Sequence, residues 1–203
     1  MIKHVLQQNL ANQELHTKWA LRSFFCAKIL KRASWKSLLS AILEQANPPW
    51  LEALSRHYSI PKLHMDTLQF QPGWIDSDRD WMEEEMKQFL SVHRDWVIDG
   101  NYSWCCYEER MEQADYIIFL NFSRWNCLYR AFKRYLKYRH KTRESMAPGC
   151  PEKFDWEFIS WVLWKGRRQT ALARYKRIHQ TFPQKFYELR NQKELDKFLK
   201  SIE

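Results

Sequence analysis

The chain has 203 residues, with 33 Lys and Arg against 24 Asp and Glu and a formal net charge of +9. That length suits one domain with a sizeable core, and 16% aromatic content with only four glycines excludes a disordered or fibrous chain. No apolar run approaches a membrane span, no signal peptide is visible, and five cysteines without C-x-x-C or a Cys/His ligand set read as reduced thiols. A cytoplasmic protein with no membrane partner and no resident metal is expected.

In chain order, Ser37 to Leu43 reads equally well as strand or helix. Ile60 to Asp66 reads as a short strand ending in a carboxylate, and Pro72-Gly73 as a turn. Ser77 caps a helix predicted from Asp78 to about His93, with Trp81, Met82, Phe89 and Leu90 on one face. Trp96 to Ile98 is a buried-strand run stopped by Asp99-Gly100-Asn101, and Glu108 to Gln113 is helical. Ala114 to Phe122 is apolar without alternation, the pattern of a strand covered on both faces. A helix is predicted from Arg124 to Tyr138, with Leu128, Phe132, Tyr135 and Leu136 apolar and Arg130 and Arg134 on another face. Met146 to Pro151 is a loop, Asp155 to about Ile178 one helix, Lys185 to Leu189 a last strand and Lys193 to Ile202 a last helix. Strands alternating with helices predict an α/β fold, a parallel sheet flanked by helices.

The charge is unevenly spread. Residues 51–123 hold six Lys/Arg against fourteen Asp/Glu, a balance of −8, whereas residues 124–177 hold fifteen against four, a balance of +11. An acidic half beside a basic arm suits the gripping of an anion at one place.

Several blocks together resemble the DNA topology modulation (FlaR-related) proteins, a branch of the adenylate-kinase-like P-loop proteins. They are Leu63 to Asp66 with Pro72-Gly73-Trp74, Trp96 to Ser103, Arg110 with Ala114 to Leu120, Arg124 to Leu128 with Arg130 and Arg134, and Tyr138 to Arg143 leading into Met146 to Glu152. The resemblance covers about Leu51 to the C-terminus. It implies a kinase-like body over 51–203 with a basic helical lid at about 130–155, preceded by an atypical leader over 1–50. It also implies ATP and Mg²⁺ as cofactors and phosphoryl transfer to a nucleotide or other small hydroxyl substrate.

Such proteins hold phosphates in a glycine-rich loop after the first strand, but G-x-x-x-x-G-K-[ST] occurs nowhere here. Its place carries Asn47-Pro48-Pro49, and proline has no N–H to offer. Synonymous codons for Lys36 to Leu51, read one nucleotide earlier, permit an apolar strand, a G-x-x-x-x-G-K-S loop and a helix start. The leader therefore reads as out of frame, joined to the body by one inserted nucleotide near Trp50 or Leu51. On that reading catalysis is impaired, and the leader's basic amphipathic stretch around Trp19 to Arg32 has no selected function.

The resemblance implies substrate contacts at Asp66, Asp99, Asn101, Tyr102 and Arg110, a cofactor contact at Arg130, and catalytic cations at Arg134, Arg139 and Arg143. Without it, Asp99-Gly100-Asn101 is simply a turn, Arg110 an exposed helix arginine, and the basic arm a solvated face. Asn121 stands where these proteins carry Asp, and an amide is a poorer partner for Mg²⁺. The alternative function is nucleic-acid binding through the basic arm, although no dedicated reader motif is visible. The sequence leaves the oligomeric state open.

Overall fold

The structure is a computed structural model that describes residues 36–41 and 49–202, with backbone only for 36–41 and Pro49. The expected leader, apart from 36–41 and the helix start at Pro49, and the segment 42–48 lie outside the described residues.

A five-stranded, all-parallel sheet organises the chain in the order β2-β5-β1-β6-β7. Its central strand is β1 (Lys36–Ala41), the segment whose sequence reads equally as helix. Tertiary pairing decides the matter: Leu38 lies opposite Ile98 of β5 (Trp96–Asp99) on one side and Ile117 of β6 (Tyr116–Leu120) on the other. Trp96, Val97, Ile98, Ile117, Ile118 and Leu120 are fully buried, as unbroken apolar strands between two helical layers should be. Each contributes roughly 1.5–3 kcal/mol of burial.

Helix α1 (Pro49–Tyr58) follows, with proline tolerated at its first position because no intrahelical donor is lost there. It buries Trp50, Leu51 and Leu54. β2 (Lys62–His64) is shorter than predicted, because Asp66 opens a single helical turn, α2 (Asp66–Gln69), instead of ending the strand. The Thr67 hydroxyl donates to the His64 carbonyl (2.6 Å) and fixes that bend. A small antiparallel hairpin, β3 (Phe70–Gln71) and β4 (Ile75–Asp76), turns through Gly73 and Trp74, both at positive φ.

Helix α3 (Arg79–Val92) is capped by Asp78 and not by Ser77, the carboxylate accepting from the Trp81 N–H (2.9 Å). Met82, Met86 and Leu90 form its buried face, while Trp81 points to solvent. Helix α4 (Tyr107–Gln113) and helix α5 (Arg124–Tyr138), which is capped by Ser123, fall where the sequence places them.

The α5 faces are reversed, however. Cys127, Ala131 and Arg134 are buried, while Phe132 and Leu136 face outward. The helix predicted over 155–178 is broken into α6 (Trp156–Leu163), a 3₁₀ turn (Lys165–Arg167) and α7 (Gln169–Thr181). The break draws the Arg167 guanidinium to the Asn121 side-chain oxygen (3.1 Å) and to the Phe122 carbonyl. β7 (Phe186–Leu189) and α8 (Gln192–Ile202) complete the chain. Among the described residues no helix is long and apolar enough to cross a membrane.

The Tyr58 hydroxyl, donating to the Ile202 carbonyl (2.6 Å), joins α8 to α1.

Candidate active site at the carboxyl edge of the sheet

The strand order reverses at β1, because the next strand in the sequence, β2, lies beyond β5 on one side and β6 and β7 lie on the other. In open α/β sheets that reversal opens a crevice at the carboxyl ends of the strands, and ligands bind there. Here the reversal falls at the end of β1, at Ala41.

Two carboxylates reach this edge. Asp99 ends β5 opposite His64, and the His64 Nδ1 lies 3.2 Å from its Oδ2. Asp66, two residues beyond β2, accepts from the Tyr102 hydroxyl (2.7 Å). Burial pushes the Asp66 carboxyl above its ordinary 3.8; the Tyr102 donor opposes this, Asp99 adds to the rise, and Arg143 and His64 oppose it. Asp66 and Tyr102 thus meet, with Asp99 and Arg143 near enough to act on the Asp66 charge, although the four come from three separate stretches of chain. A carboxyl desolvated beside a like charge is a group tuned to take up a proton.

Gly100 makes the approach possible. Its φ is +146°, and a Cβ there would lie 2.6 Å from the Met65 Cβ. Arg110, read from sequence as an anion clamp, is instead fully buried below the site. Its donors go to the Cys105 carbonyl (3.0 Å), the Tyr102 carbonyl (2.5 Å) and the Met65 sulfur (2.9 Å), and burial pushes its guanidinium down to about 10. It holds the residues flanking the carboxylates and does not present itself to a ligand.

The lid arginines divide in the same way. Arg134 and Arg143 share the two oxygens of Glu152 at 2.5 and 2.6 Å, and all three side chains are at most 4% exposed. Arg143 also donates to the Ser145 hydroxyl (3.2 Å). This buried bridge pins the segment after α5 to α5 itself. Arg139 is exposed at the α5 C-cap, outside that cluster. Arg130 is bonded to Asn126 (2.7 Å) and Gln192 (2.8 Å) and lies over the Phe122 ring, tying α5 to α8. Asn101 follows Gly100 at the edge and is half-buried.

Sequence reasoning names neither Glu152 nor Arg167 as a site residue. Glu152 lies inside the block that carries the resemblance, but nothing local shows that it will be buried between two arginines. Gly166 is the only local trace of the turn that delivers Arg167.

Residues 146–151 are bonded to the hairpin. The Gly73 N–H donates to the Gly149 carbonyl (3.0 Å), the Trp74 indole to the Pro151 carbonyl (3.1 Å) and the Cys150 thiol to the Gln71 carbonyl (3.1 Å). Met146, Ala147 and Cys150 pack there against Phe70 and Trp74.

The fit to the implied cofactors is poor. Pro49 removes an N–H from the first turn of α1, and Glu52 places a negative charge in that turn, held by Arg56 (2.6 Å) and Lys62. No lysine occupies the segment between β1 and α1. A phosphate chain needs donors and a cation at that spot. The Asn121 amide is engaged by Glu188 (2.8 Å) and Arg167, leaving no carboxylate after β6 for Mg²⁺. Among the described residues no group of three or more His, Cys, Asp or Glu could hold a metal.

The chain is an α/β protein whose parallel sheet carries two carboxylates, Asp66 and Asp99, at its carboxyl edge. No family model matches its sequence, and no curated protein does. Among 16 matching solved chains is shikimate kinase from Bacteroides thetaiotaomicron, 14% identical with a TM-score of 0.45, covering 83% of this chain and 96% of that one. At that score the likeness carries no argument about site or substrate.

Proposed function

We propose that residues 51–203 are the body of a P-loop kinase-like phosphotransferase, related to the DNA topology modulation proteins, and that this chain is impaired in catalysis. The observation that carries the reading is a mismatch at one place. A central parallel strand leads into a helix through the switch point of the sheet, where such enzymes cradle phosphate, yet the connection ends in Asn47-Pro48-Pro49.

The acceptor side is better preserved. Asp66, with its raised proton affinity, would receive the proton of a substrate hydroxyl, with Asp99 and Asn101 orienting that substrate. Arg143, held by Glu152, would face the transferred group. The frame explanation accounts for a competent acceptor side beside a missing grip: one inserted nucleotide near Trp50 or Leu51 replaces the loop and leaves everything after it intact.

Two measurements test the reading. Sequencing the locus should find the lysine-bearing loop in the alternate frame. ATP binding, undetectable in the present chain at millimolar nucleotide, should appear once that loop is restored. Normal phosphoryl transfer by the unrepaired chain would refute the account of the loop.

A further inference from the structure

Helix α5 shows solvent a face that soluble helices bury. Trp125 (74% exposed), Tyr129 (59%), Phe132 (42%) and Leu136 (57%) recur at i, i+4, i+7 and i+11, one continuous stripe about 16 Å long. On α6, Trp156 is 72% exposed between the exposed carboxylates Asp155 and Glu157, while Phe154 links the two helices by packing against both Phe132 and Phe158. Contiguous exposed apolar surface of this kind marks an interaction site.

Charge selects the occupant. From Arg124 to Arg143 the chain carries eight Lys and Arg and no Asp or Glu. Arg130, Arg134 and Arg143 are committed to internal bonds, which leaves five exposed cations flanking the stripe. A symmetric contact with a second copy of this chain would set those five against five more, whereas an anionic surface complements them.

Of the anionic surfaces, the stripe fits lipid better than bases. Tyr129 already has Lys133 over its ring at 5.1 Å, and Leu136 offers no ring at all, whereas base stacking needs free aromatic faces. Tryptophan and tyrosine along an apolar stripe, bordered by lysines able to reach headgroups, is the composition of a helix lying in a lipid interface. We propose that α5 forms a docking face for an anionic lipid surface. The expectation of no membrane partner rested on the lack of a spanning segment, which does not bear on a helix lying flat.

The test uses the full chain and sedimentation with vesicles. Vesicles of phosphatidylcholine with about 30% phosphatidylserine should retain the protein at least about tenfold better than phosphatidylcholine alone, with the difference shrinking as salt rises. The double substitution Trp125→Ala/Leu136→Ala touches only exposed side chains. It should weaken retention about tenfold, whereas Trp81→Ala, exposed on α3, should leave it unchanged. Retention indifferent to the Trp125/Leu136 pair would place the docking elsewhere in the chain and overturn the proposal. So would absence of vesicle binding, or binding of a single-stranded oligonucleotide that the pair abolishes while vesicle binding persists.

Discussion

Glu152→Gln isolates the contact on which the lid depends. The glutamine keeps the volume but removes the one negative charge between the Arg134 and Arg143 guanidiniums, which are 3% and 4% exposed. The charged hydrogen bond from Arg134 contributes roughly 1.5–3 kcal/mol, and the ion pair with Arg143 adds to it. Breaking a buried ion pair by removing one partner costs roughly 3–5 kcal/mol, and the amide oxygen still accepts one bond, so about 4 kcal/mol is expected. For a chain of this size that lowers the melting temperature by roughly 10 °C. Urea titration followed by circular dichroism measures it, and hydrogen exchange at Gly73 and Cys150 reports whether the lid opens before the sheet. The triple replacement Arg134→Met/Glu152→Leu/Arg143→Met removes charge and counter-charge together, and should recover stability to within about 1.5 kcal/mol of the parent. A loss under about 1 kcal/mol for Glu152→Gln, or a triple variant worse than the single, would refute a buried bridge that holds the lid.

Two further substitutions probe the crevice. Gly100→Ala meets both a φ of +146° and a Met65 contact at 2.6 Å, so roughly 2–5 kcal/mol of destabilisation is expected by thermal melting. The raised pKa of Asp66 means that the native state holds its proton more tightly than the unfolded chain does. That contribution is complete below the ordinary 3.8 and is lost as pH rises through the raised native value. Asp66→Asn should therefore flatten the fall in stability over that window, and an unchanged pH profile would count against the assignment.

Local chemistry is legible from sequence wherever a short stretch is enough to specify it. The Arg124–Tyr138 helix, the apolar strands β5 and β6 and the turn at Pro72-Gly73 all follow from capping, apolar runs and backbone preference. The missing phosphate grip is likewise a sequence fact, because prolines and an absent lysine need no fold to be read. Asp66 and Tyr102 stand in separate blocks of the sequence; the bond between them spans 36 positions and needed the sheet to form.

Tertiary structure settled the remainder through long-range pairing and burial. Lys36–Ala41 became a strand because two neighbours supply its hydrogen bonds. Arg110 went inside because backbone carbonyls and the Met65 sulfur converge on it, and Arg134 went inside because Glu152, eighteen residues later, returns to meet it. An arginine's sequence neighbours do not reveal which distant acceptor will desolvate it. The same physics turned the α5 aromatics outward: once Arg134 and Ala131 face the core, 3.6-residue periodicity sends Phe132 and Leu136 to solvent.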